Sequence, residues 1–324
     1  MNLSIILTIY NKEPYLNRSL EALLSQDNTT SSDYEVIAVN DGSTDDSATV
    51  LNKYASHNPH LKIITQQNQG LSMARNNGVL HASGNYIWFV DADDVVSKKS
   101  VRLILEAIEQ QPDLIPIYAI TEGVDSIRNK INPQLLTGKE VLIESKWEHC
   151  GVFWIIKKQF LIDNELKFVP GIYHEDAEFT PRMLYLAQNV VVIPEILYTV
   201  YHGDQQSITE VPRPKRAYDM VDVVARLIDF FEKKGEQHSV IGKVMSNNNS
   251  GILNTALYVI SCNEKAEWKK FNEYLYNKRL VLRSFHESNY FKYRLEGLLM
   301  NMFRKQYVSV FVMFRKIIER KSGK

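Results

Sequence analysis

The stretch YIWFVDADD, residues 86–94, joins an apolar run to three carboxylates. Its apolar part, Tyr86 to Val90, has the composition of a buried β-strand. Asp91, Asp93 and Asp94 follow at once and repel one another, so bringing them together lowers stability unless a cation joins them. The stretch therefore predicts a strand that ends at a site for positive charge.

The residues before this strand alternate between short apolar runs and helical patterns. Strand followed by helix, repeated, is typical of a parallel sheet covered by helices. We therefore expect an α/β fold with a mostly parallel sheet. The predicted strands are 3–10, 34–39, 61–65 and a fourth that follows residue 85 and ends at FVDADD, and the predicted helices are 12–25, 44–56 and 70–82.

Polar residues follow three of these strands at the point where each ends. They are Thr8–Asn11, Asn40–Ser43 and Asp91–Asp94. In open α/β sheets, ligands bind at the carboxyl ends of the strands. We therefore expect the three polar segments to meet at one edge of the sheet.

The second half of the chain first continues and then changes character. Patterns indicate helices over 97–111 and 157–165, a helix opened by His174-Glu175-Asp176, and strands at 114–120, 190–193 and 196–200. The run 153–156 is apolar, and 121–150 has no clear pattern. Beyond Pro212 the chain is predicted to be helical, beginning with an amphipathic helix over 217–234. We expect a catalytic domain at 1–212 and a helical region at 213–324.

Composition bounds the class of protein. The 324 residues are enough for a sizeable core, and 38 basic against 38 acidic residues give no sign of a nucleic-acid partner. Cys150 and Cys262 stand in no metal-binding spacing, which predicts two reduced core thiols. The N-terminal residues lack a basic region before the first apolar run, and no run approaches the ~20 apolar residues of a membrane span. We therefore expect a cytoplasmic protein.

Several polar residues admit two interpretations. Asp91 and Asp93 could hold a divalent cation with substrate phosphates, or they could be solvated loop carboxylates. Val96 stands where a calcium-binding EF-hand needs glycine. Asp41 could accept a hydrogen bond from a ligand, or lie in a turn that caps the next helix. Arg75 could bind phosphate, or be a solvated helix residue; no GxGxxG or P-loop motif offers another phosphate site.

The motifs in order resemble one known family. LTIYNKEPYL, VNDGSTDDS, NQGLSMARNNG, ASGNYIWFVDADD and HEDAEF succeed one another between Leu3 and Thr209. Together they resemble family 2 glycosyltransferases of the GT-A (Rossmann-like) fold, of the type that builds bacterial surface polysaccharides. The resemblance implies inverting transfer of a sugar from a nucleotide-diphosphate sugar, a UDP-sugar, to a glycan or glycolipid.

The resemblance also implies a role for individual residues. For the donor, Thr8 and Tyr10 would line the nucleoside, Asp41 would accept the uracil N3–H, Asn68 and Arg75 would lie near base and phosphates, Asp91 near the ribose, and Asp93 on Mn²⁺ or Mg²⁺. For the acceptor, Asp176 would be the general base and Glu175 would orient the hydroxyl. His202 would close over the diphosphate, or be structural. Two adjacent acids repel, which could raise the pKa of one of them.

Rival functions remain at this point. A non-catalytic sugar-nucleotide-binding or scaffold protein could keep the same fold, although it would have no use for a base at Asp176. A nucleotidyltransferase shares the need for metal and nucleotide, but no glycine-rich basic loop follows the first strand. The R/QxxRW motif of processive family members is absent from the sequence, which favours addition of one sugar.

The segment from Ser288 to Lys324 is basic and aromatic. It holds nine Lys and Arg residues against two Glu, interleaved with seven Tyr and Phe. Such a composition suits a helix on an anionic membrane surface, and it equally suits a packed helical subdomain with a solvated basic face. Nucleic acid is a weaker third option, because no binding module is present.

Overall fold

The structure is a computed structural model that describes residues 1–201 and 211–322. The chain forms two compact units within these ranges. One contains residues 1–171 and 175–201, and the other contains 172–174 and 211–322. A folding boundary at Pro212 remains a prediction.

The first unit is built on a mixed sheet that begins with strands alternating with helices, as the sequence predicts. In chain order the elements are β1 (Leu3–Ile9), α1 (Glu13–Leu24), β2 (Tyr34–Asn40), α2 (Ser47–Ala55), β3 (Leu61–Thr65), α3 (Leu71–His81), β4 (Tyr86–Asp91), β5 (Val95–Val96), α4 (Ser100–Ile108), β6 (Leu114–Thr121), β7 (Val124–Arg128), α5 (Gly138–Glu144), β8 (Trp154–Lys157), α6 (Lys158–Asp163), α7 (Glu175–Leu186) and β9 (Ile193–Val200).

The strand order is β3-β2-β1-β4-β8-β6-β9-β5, with β7 paired to β6. β3, β2, β1 and β4 are parallel neighbours, so the strands that carry the polar motifs form one continuous half of the sheet. β8 then pairs antiparallel with both β4 and β6. The α/β class is confirmed, and the antiparallel insertion of β8 is a feature that the sequence pattern did not indicate.

Burial explains why the central strands form. β1 and β2 are buried at every position, as expected for strands covered by helices on both faces. α3 packs very close to β1: a Cβ atom on Gly78 would lie 2.4 Å from Cγ2 of Ile6. Glycine at this position therefore allows the helix that carries Arg75 to lie against the sheet.

Some predicted elements differ from the structure. The two strands predicted at 190–193 and 196–200 are one strand, β9, and Val190 forms only an isolated bridge. The segment left without a pattern contains β7 and α5. Both cysteines are free, but Cys262 is exposed, so the expectation of two core thiols is wrong for that residue.

The second unit is helical in its described part, as predicted. Its helices are α8 (Pro214–Lys233), α9 (Val240–Ser261), α10 (Lys265–Asn277), α11 (Arg283–Glu287), α12 (Phe291–Phe303) and α13 (Tyr307–Ser322). Buried apolar side chains from all six helices form one core. The segment from Ser288 therefore contributes to a packed helical unit, through Met300, Tyr307, Val308 and Val312.

Candidate functional site

The carboxyl ends of β1, β2 and β4 meet at one edge of the sheet. Thr8 is level with Asp91 on β4, and Ile9 is level with Asn40 on β2. The hydroxyl of Thr8 lies 3.4 Å from Oδ1 of Asp91. The structure therefore brings the three polar segments together, which is where an open α/β sheet binds its ligands.

Arg75 lies buried at this edge and binds three carboxylates. Its Nη1 donates to Oδ1 of Asp176 at 2.6 Å and to Oε1 of Glu175 at 3.1 Å, and its Nη2 donates to Oδ1 of Asp91 at 3.3 Å. The side chain is 1% exposed, and its guanidinium lies 5.1 Å from the ring of Phe168. Arg75 is thus a buried, paired residue and not a solvated one, while its expected place near the donor phosphates stays a prediction. It joins the end of β4 to the start of α7.

The cluster holds three carboxyls and one guanidinium, and the pKa values of two of these carboxyls are raised. Burial, together with repulsion from Asp176, raises the pKa of Glu175 to about 7, although Arg75 acts in the opposite direction. Burial also raises the pKa of Asp91, again against the pull of Arg75. One guanidinium cannot neutralise three acids, so Glu175 holds a proton at pH values where an ordinary glutamate is ionised.

Asp176 is held in place at both of its oxygens. Oδ1 accepts from Arg75, and Oδ2 accepts from the backbone N–H of Gly151 at 3.1 Å. Its side chain is somewhat more exposed than that of Glu175. The residue chosen from the sequence as the base is therefore a fixed and accessible carboxylate.

The aspartates that follow Asp91 have different surroundings. Asp94 is buried, and its two oxygens accept from the Tyr198 hydroxyl at 2.8 Å and the Tyr201 N–H at 2.9 Å. Burial raises the pKa of Asp94 to about 7. It ties the tip of β4 to the end of β9, so both oxygens of Asp94 are occupied by bonds within the fold.

Asp93 is paired with a residue that the sequence analysis missed. Nζ of Lys12 lies 2.5 Å from Oδ2 of Asp93, and the two side chains are 28% and 26% exposed. Nη2 of Arg18 donates to the backbone oxygen of Asp93 at 2.8 Å. The sequence feature that could have identified Lys12 is its position three residues after β1, at the same end of the sheet as the carboxylates.

The donor set at this edge suits a divalent cation only with help from a substrate. Within 1–201 and 211–322, no three His, Cys, Asp or Glu side chains are grouped as a metal site. Asp91 and Asp93 do offer hard carboxylate oxygens, and Mg²⁺ in particular is commonly held by one or two carboxylates completed by substrate phosphates. The residues therefore fit Mn²⁺ or Mg²⁺ held jointly with a diphosphate.

Asp41 lies buried after β2 and is fixed by three donors. Oδ1 accepts from the Gln66 side chain at 2.7 Å and the Gln69 N–H at 2.8 Å, and Oδ2 accepts from the Gly70 N–H at 2.9 Å. An ionised carboxylate offers about four acceptor positions, so roughly one remains for a ligand. The adjoining turn needs glycine, because Gly42 has φ +73° and a Cβ there would lie 2.8 Å from the Asn68 nitrogen.

Of the remaining residues expected at the site, two are exposed, one is buried and one falls outside the described ranges. The Tyr10 ring is 48% exposed beside the end of β1, Asn68 is exposed, and Thr8 is buried. His202 lies outside the described residues. Tyr10 is thus accessible to a planar ligand, and aromatic rings pair with planar groups by stacking.

Comparison with known proteins identifies a family and related chains. The family model described as glycosyl transferase family 2 matches residues 4–184. An uncharacterized glycosyltransferase, EpsJ of Bacillus subtilis, is 34% identical over 227 residues, which make up 64% of this chain and 63% of EpsJ. A poly(ribitol-phosphate) beta-glucosyltransferase of Bacillus spizizenii is 27% identical over 84% of this chain and 44% of its own length. The chain therefore spans less than two thirds of these relatives.

Solved structures share the architecture. TarS 1-349 of S. aureus in complex with UDP-GlcNAc gives a TM-score of 0.77 at 19% identity, covering 100% of this chain and 93% of that one. The mannosyltransferase PcManGT of Pyrobaculum calidifontis, in complex with GDP-Man and Mn²⁺, gives 0.54 at 15% identity, covering 97% and 88%. At these identities the likeness concerns the fold alone, and it confirms the expected GT-A architecture.

Proposed function

The chain belongs to glycosyl transferase family 2, and from that premise we propose that it moves a sugar from a UDP-sugar to a glycan or glycolipid. The transferred group would be a hexosyl or N-acetylhexosaminyl unit, and the transfer would invert the anomeric carbon. The observation that carries this proposal is the bridge made by Arg75. It holds Asp176, the proposed base, and Asp91, at the proposed donor end, on one buried guanidinium.

The proposed reaction is a single displacement. The acceptor hydroxyl oxygen bonds to the anomeric carbon, the bond from that carbon to the diphosphate breaks, and the hydroxyl proton passes to Asp176. Fixed geometry favours such a step, because a positioned base avoids the entropic cost of finding the proton. Hydrogen bonds from Arg75 and Gly151 supply that positioning.

Glu175 would orient the acceptor rather than take its proton. Its carboxyl has a pKa of about 7 because of burial and the adjacent Asp176. A carboxyl that is partly protonated at neutral pH can donate a hydrogen bond to a sugar oxygen as well as accept one. Asp176 would then take the proton, and Glu175 would orient the acceptor.

The donor would lie across the ends of β1, β2 and β4. Tyr10 would stack on the base, Asp41 would accept the uracil N3–H at its remaining position, and Thr8 would line the nucleoside. Asn68 and Arg75 would lie near the base and phosphates. Asp91 would approach the ribose. The exposure of Tyr10 and the rigid setting of Asp41 support these roles, and TarS with UDP-GlcNAc offers a structural parallel for a UDP-sugar.

A divalent cation, Mn²⁺ or Mg²⁺, would be held by Asp93 and would supply charge to stabilise the departing diphosphate. Lys12 lies at the same carboxylate, so it would contact either Asp93 or a phosphate oxygen. The Mn²⁺ in the complex of PcManGT with GDP-Man supports a metal-dependent reaction. His202 would close over the diphosphate.

The acceptor would be a surface polymer or its lipid-linked precursor. The likeness to a poly(ribitol-phosphate) beta-glucosyltransferase supports a polymer acceptor. In the part of the chain that the structure describes, no helix has the length and apolar character to cross a bilayer. We propose a cytoplasmic location at the inner face of the membrane.

A two-part assay tests the proposal. Thermal unfolding would be followed with UDP, GDP and a panel of UDP- and GDP-sugars, each with and without Mn²⁺. We expect UDP and one UDP-sugar to raise the melting temperature and GDP to leave it unchanged. UDP release from the stabilising sugar nucleotide would then be measured with the wild type and Asp176→Asn. Stabilisation without any turnover would favour a non-catalytic sugar-nucleotide-binding protein, and no response at all would favour a scaffold.

A further inference from the structure

Helix α12 has one buried side and one exposed apolar side. Its buried side consists of Glu296, Gly297 and Met300. The opposite side carries four large apolar residues with high exposure: Phe291 (72%), Leu295 (44%), Leu298 (61%) and Met302 (74%). We refer to these four side chains as the α12 stripe.

The spacing of the α12 stripe puts its members on one line. Residues at i, i+4, i+7 and i+11 of an α-helix fall within about 60° around the axis. Isolated exposed apolar residues are ordinary, but a contiguous apolar patch on a protein surface marks an interaction site. The packing of the second unit therefore leaves a surface that needs an occupant.

The charges around the α12 stripe identify the occupant. Lys292 and Arg294 are exposed on either side of it, and Arg304 is exposed at its end. The one acidic residue between 288 and 304 is Glu296, which is buried and accepts from the Tyr307 hydroxyl at 3.1 Å. The exposed face thus combines apolar and cationic groups without an acid from the same segment.

We propose that the α12 stripe and its basic flanks dock on an anionic membrane surface. A helix with an apolar face and basic flanks lies in the interface, with its apolar side chains among the acyl chains. Each basic residue adds attraction to anionic headgroups.

The buried residues of α13 decide whether truncation or point substitution can test the proposal. Tyr307, Val308 and Val312 are buried, and the Val308 N–H donates to Oδ1 of Asn272. Removing everything after Ser288 would delete part of the core. The membrane element is a face of a folded unit, so point substitutions on that face are the proper test.

The test is sedimentation of the full chain with vesicles. One set would contain phosphatidylcholine alone, and the other phosphatidylcholine mixed with phosphatidylglycerol. We expect binding to the mixed vesicles that weakens but does not vanish at high salt, because screening removes the charge contribution and leaves the apolar one. Equal binding to both vesicle types, or binding to neither, would overturn the proposal.

Two variants separate the contributions. Phe291→Ser combined with Leu298→Ser should weaken binding by at least about tenfold. Lys292→Gln combined with Arg294→Gln should weaken it about fivefold per residue at low salt and flatten the salt dependence. Leu80→Ser is the matched control, since Leu80 is an isolated leucine on α3 with 77% exposure, and it should bind as the wild type does.

Further measurements keep the result interpretable. Each variant should melt as the wild type does, because the substituted side chains are exposed. If the Phe291/Leu298 variant loses self-association in light scattering and the wild type does not bind vesicles, the stripe is a protein interface and the membrane proposal fails. Nucleotide binding in solution should be unchanged in every variant, so this proposal and the proposed enzymatic function can fail separately.

Discussion

Two sets of acidic residues at the carboxyl end of the sheet pair with different cationic side chains. Asp91, Glu175 and Asp176 surround the buried guanidinium of Arg75, whereas Asp93 meets the partly exposed ammonium of Lys12. Arginine offers fixed, planar donors and stays charged when buried, while lysine is a flexible point charge. The first group is therefore a buried framework, and we propose that the second is a position where a metal ion can replace the ammonium.

Removing Arg75 should have the largest effect of any change at this edge. Arg75→Met leaves three carboxylates without their cation, and an uncompensated buried charge costs about 3–5 kcal/mol. The free energy of unfolding should fall by that amount in denaturant titrations, and turnover should be lost. Part of the stability should return at low pH, where the carboxyls are protonated.

Arg102→Met is the control for that variant. Arg102 pairs with Glu106 one turn along α4, and both side chains are well exposed. Such a pair contributes about 0.3–0.5 kcal/mol. Equal stability losses in the two variants would refute the description of Arg75 as a buried framework.

The proposed base gives the next largest effect. Asp176→Asn keeps an oxygen for Arg75 but cannot take a proton, so turnover should fall by at least ~10². UDP affinity, measured by calorimetry, should stay within about twofold of the wild type. A dead Glu175→Gln beside an active Asp176→Asn would reverse the division of roles between the two acids.

Glu175 should make stability depend on pH in a defined window. Its pKa is raised from 4.5 to about 7 in the folded protein, so the folded state binds the proton more tightly than the unfolded state does. This contribution to stability is complete below pH ~4.5 and is lost as the pH rises to ~7. In Glu175→Gln, the decrease of melting temperature from pH 5 to pH 8 should therefore be smaller than in the wild type.

A second carboxyl, that of Asp94, limits the expected difference between the wild type and Glu175→Gln. It also has a pKa of about 7 through burial, so the wild type should lose stability over the same range through this carboxyl as well as through Glu175. Glu175→Gln should remove only part of the decrease. Parallel curves for the wild type and the variant would show that Glu175 is ionised throughout, against this account.

Replacing Lys12 should give the smallest effect, and it should strengthen Mn²⁺ binding rather than weaken it. Lys12→Met removes a competitor for Asp93, so Mn²⁺ affinity without nucleotide, measured by electron paramagnetic resonance, should rise about two- to fivefold. UDP affinity without metal should fall, because a cation near the diphosphate is lost. Lys99→Met, which removes a 2.5 Å pair with Glu195, should change neither quantity.

The central parallel strands could be predicted from the sequence because short-range patterns determine them. Apolar runs, each followed by polar residues and then a helix, located β1, β2 and β4 within one or two residues. α5 was missed although Thr137 and Glu140 form a capping box, a signal readable as TxxE. β7 was missed because most of its residues are exposed and lack alternation.

The partners of Arg75 could not be predicted in the same way. Glu175 and Asp176 lie 100 and 101 positions away along the chain, and no local pattern reports such a pairing. The motifs identified the residues, but from the sequence alone Arg75 could be either a phosphate ligand or a solvated arginine. Its burial and its ion pairs exclude the solvated arginine, and both are properties of tertiary packing. A contact with phosphate stays a prediction.

The most direct test of the proposed cation site at Asp93 is UDP titration with and without Mn²⁺. For the wild type, and for Asp125→Asn at an exposed carboxylate on β7, we expect Mn²⁺ to strengthen UDP binding about tenfold or more. For Asp93→Asn, we expect UDP to bind with the same weak affinity whether or not Mn²⁺ is present. A full gain from Mn²⁺ in Asp93→Asn, or no UDP binding by the wild type under either condition, would contradict the account.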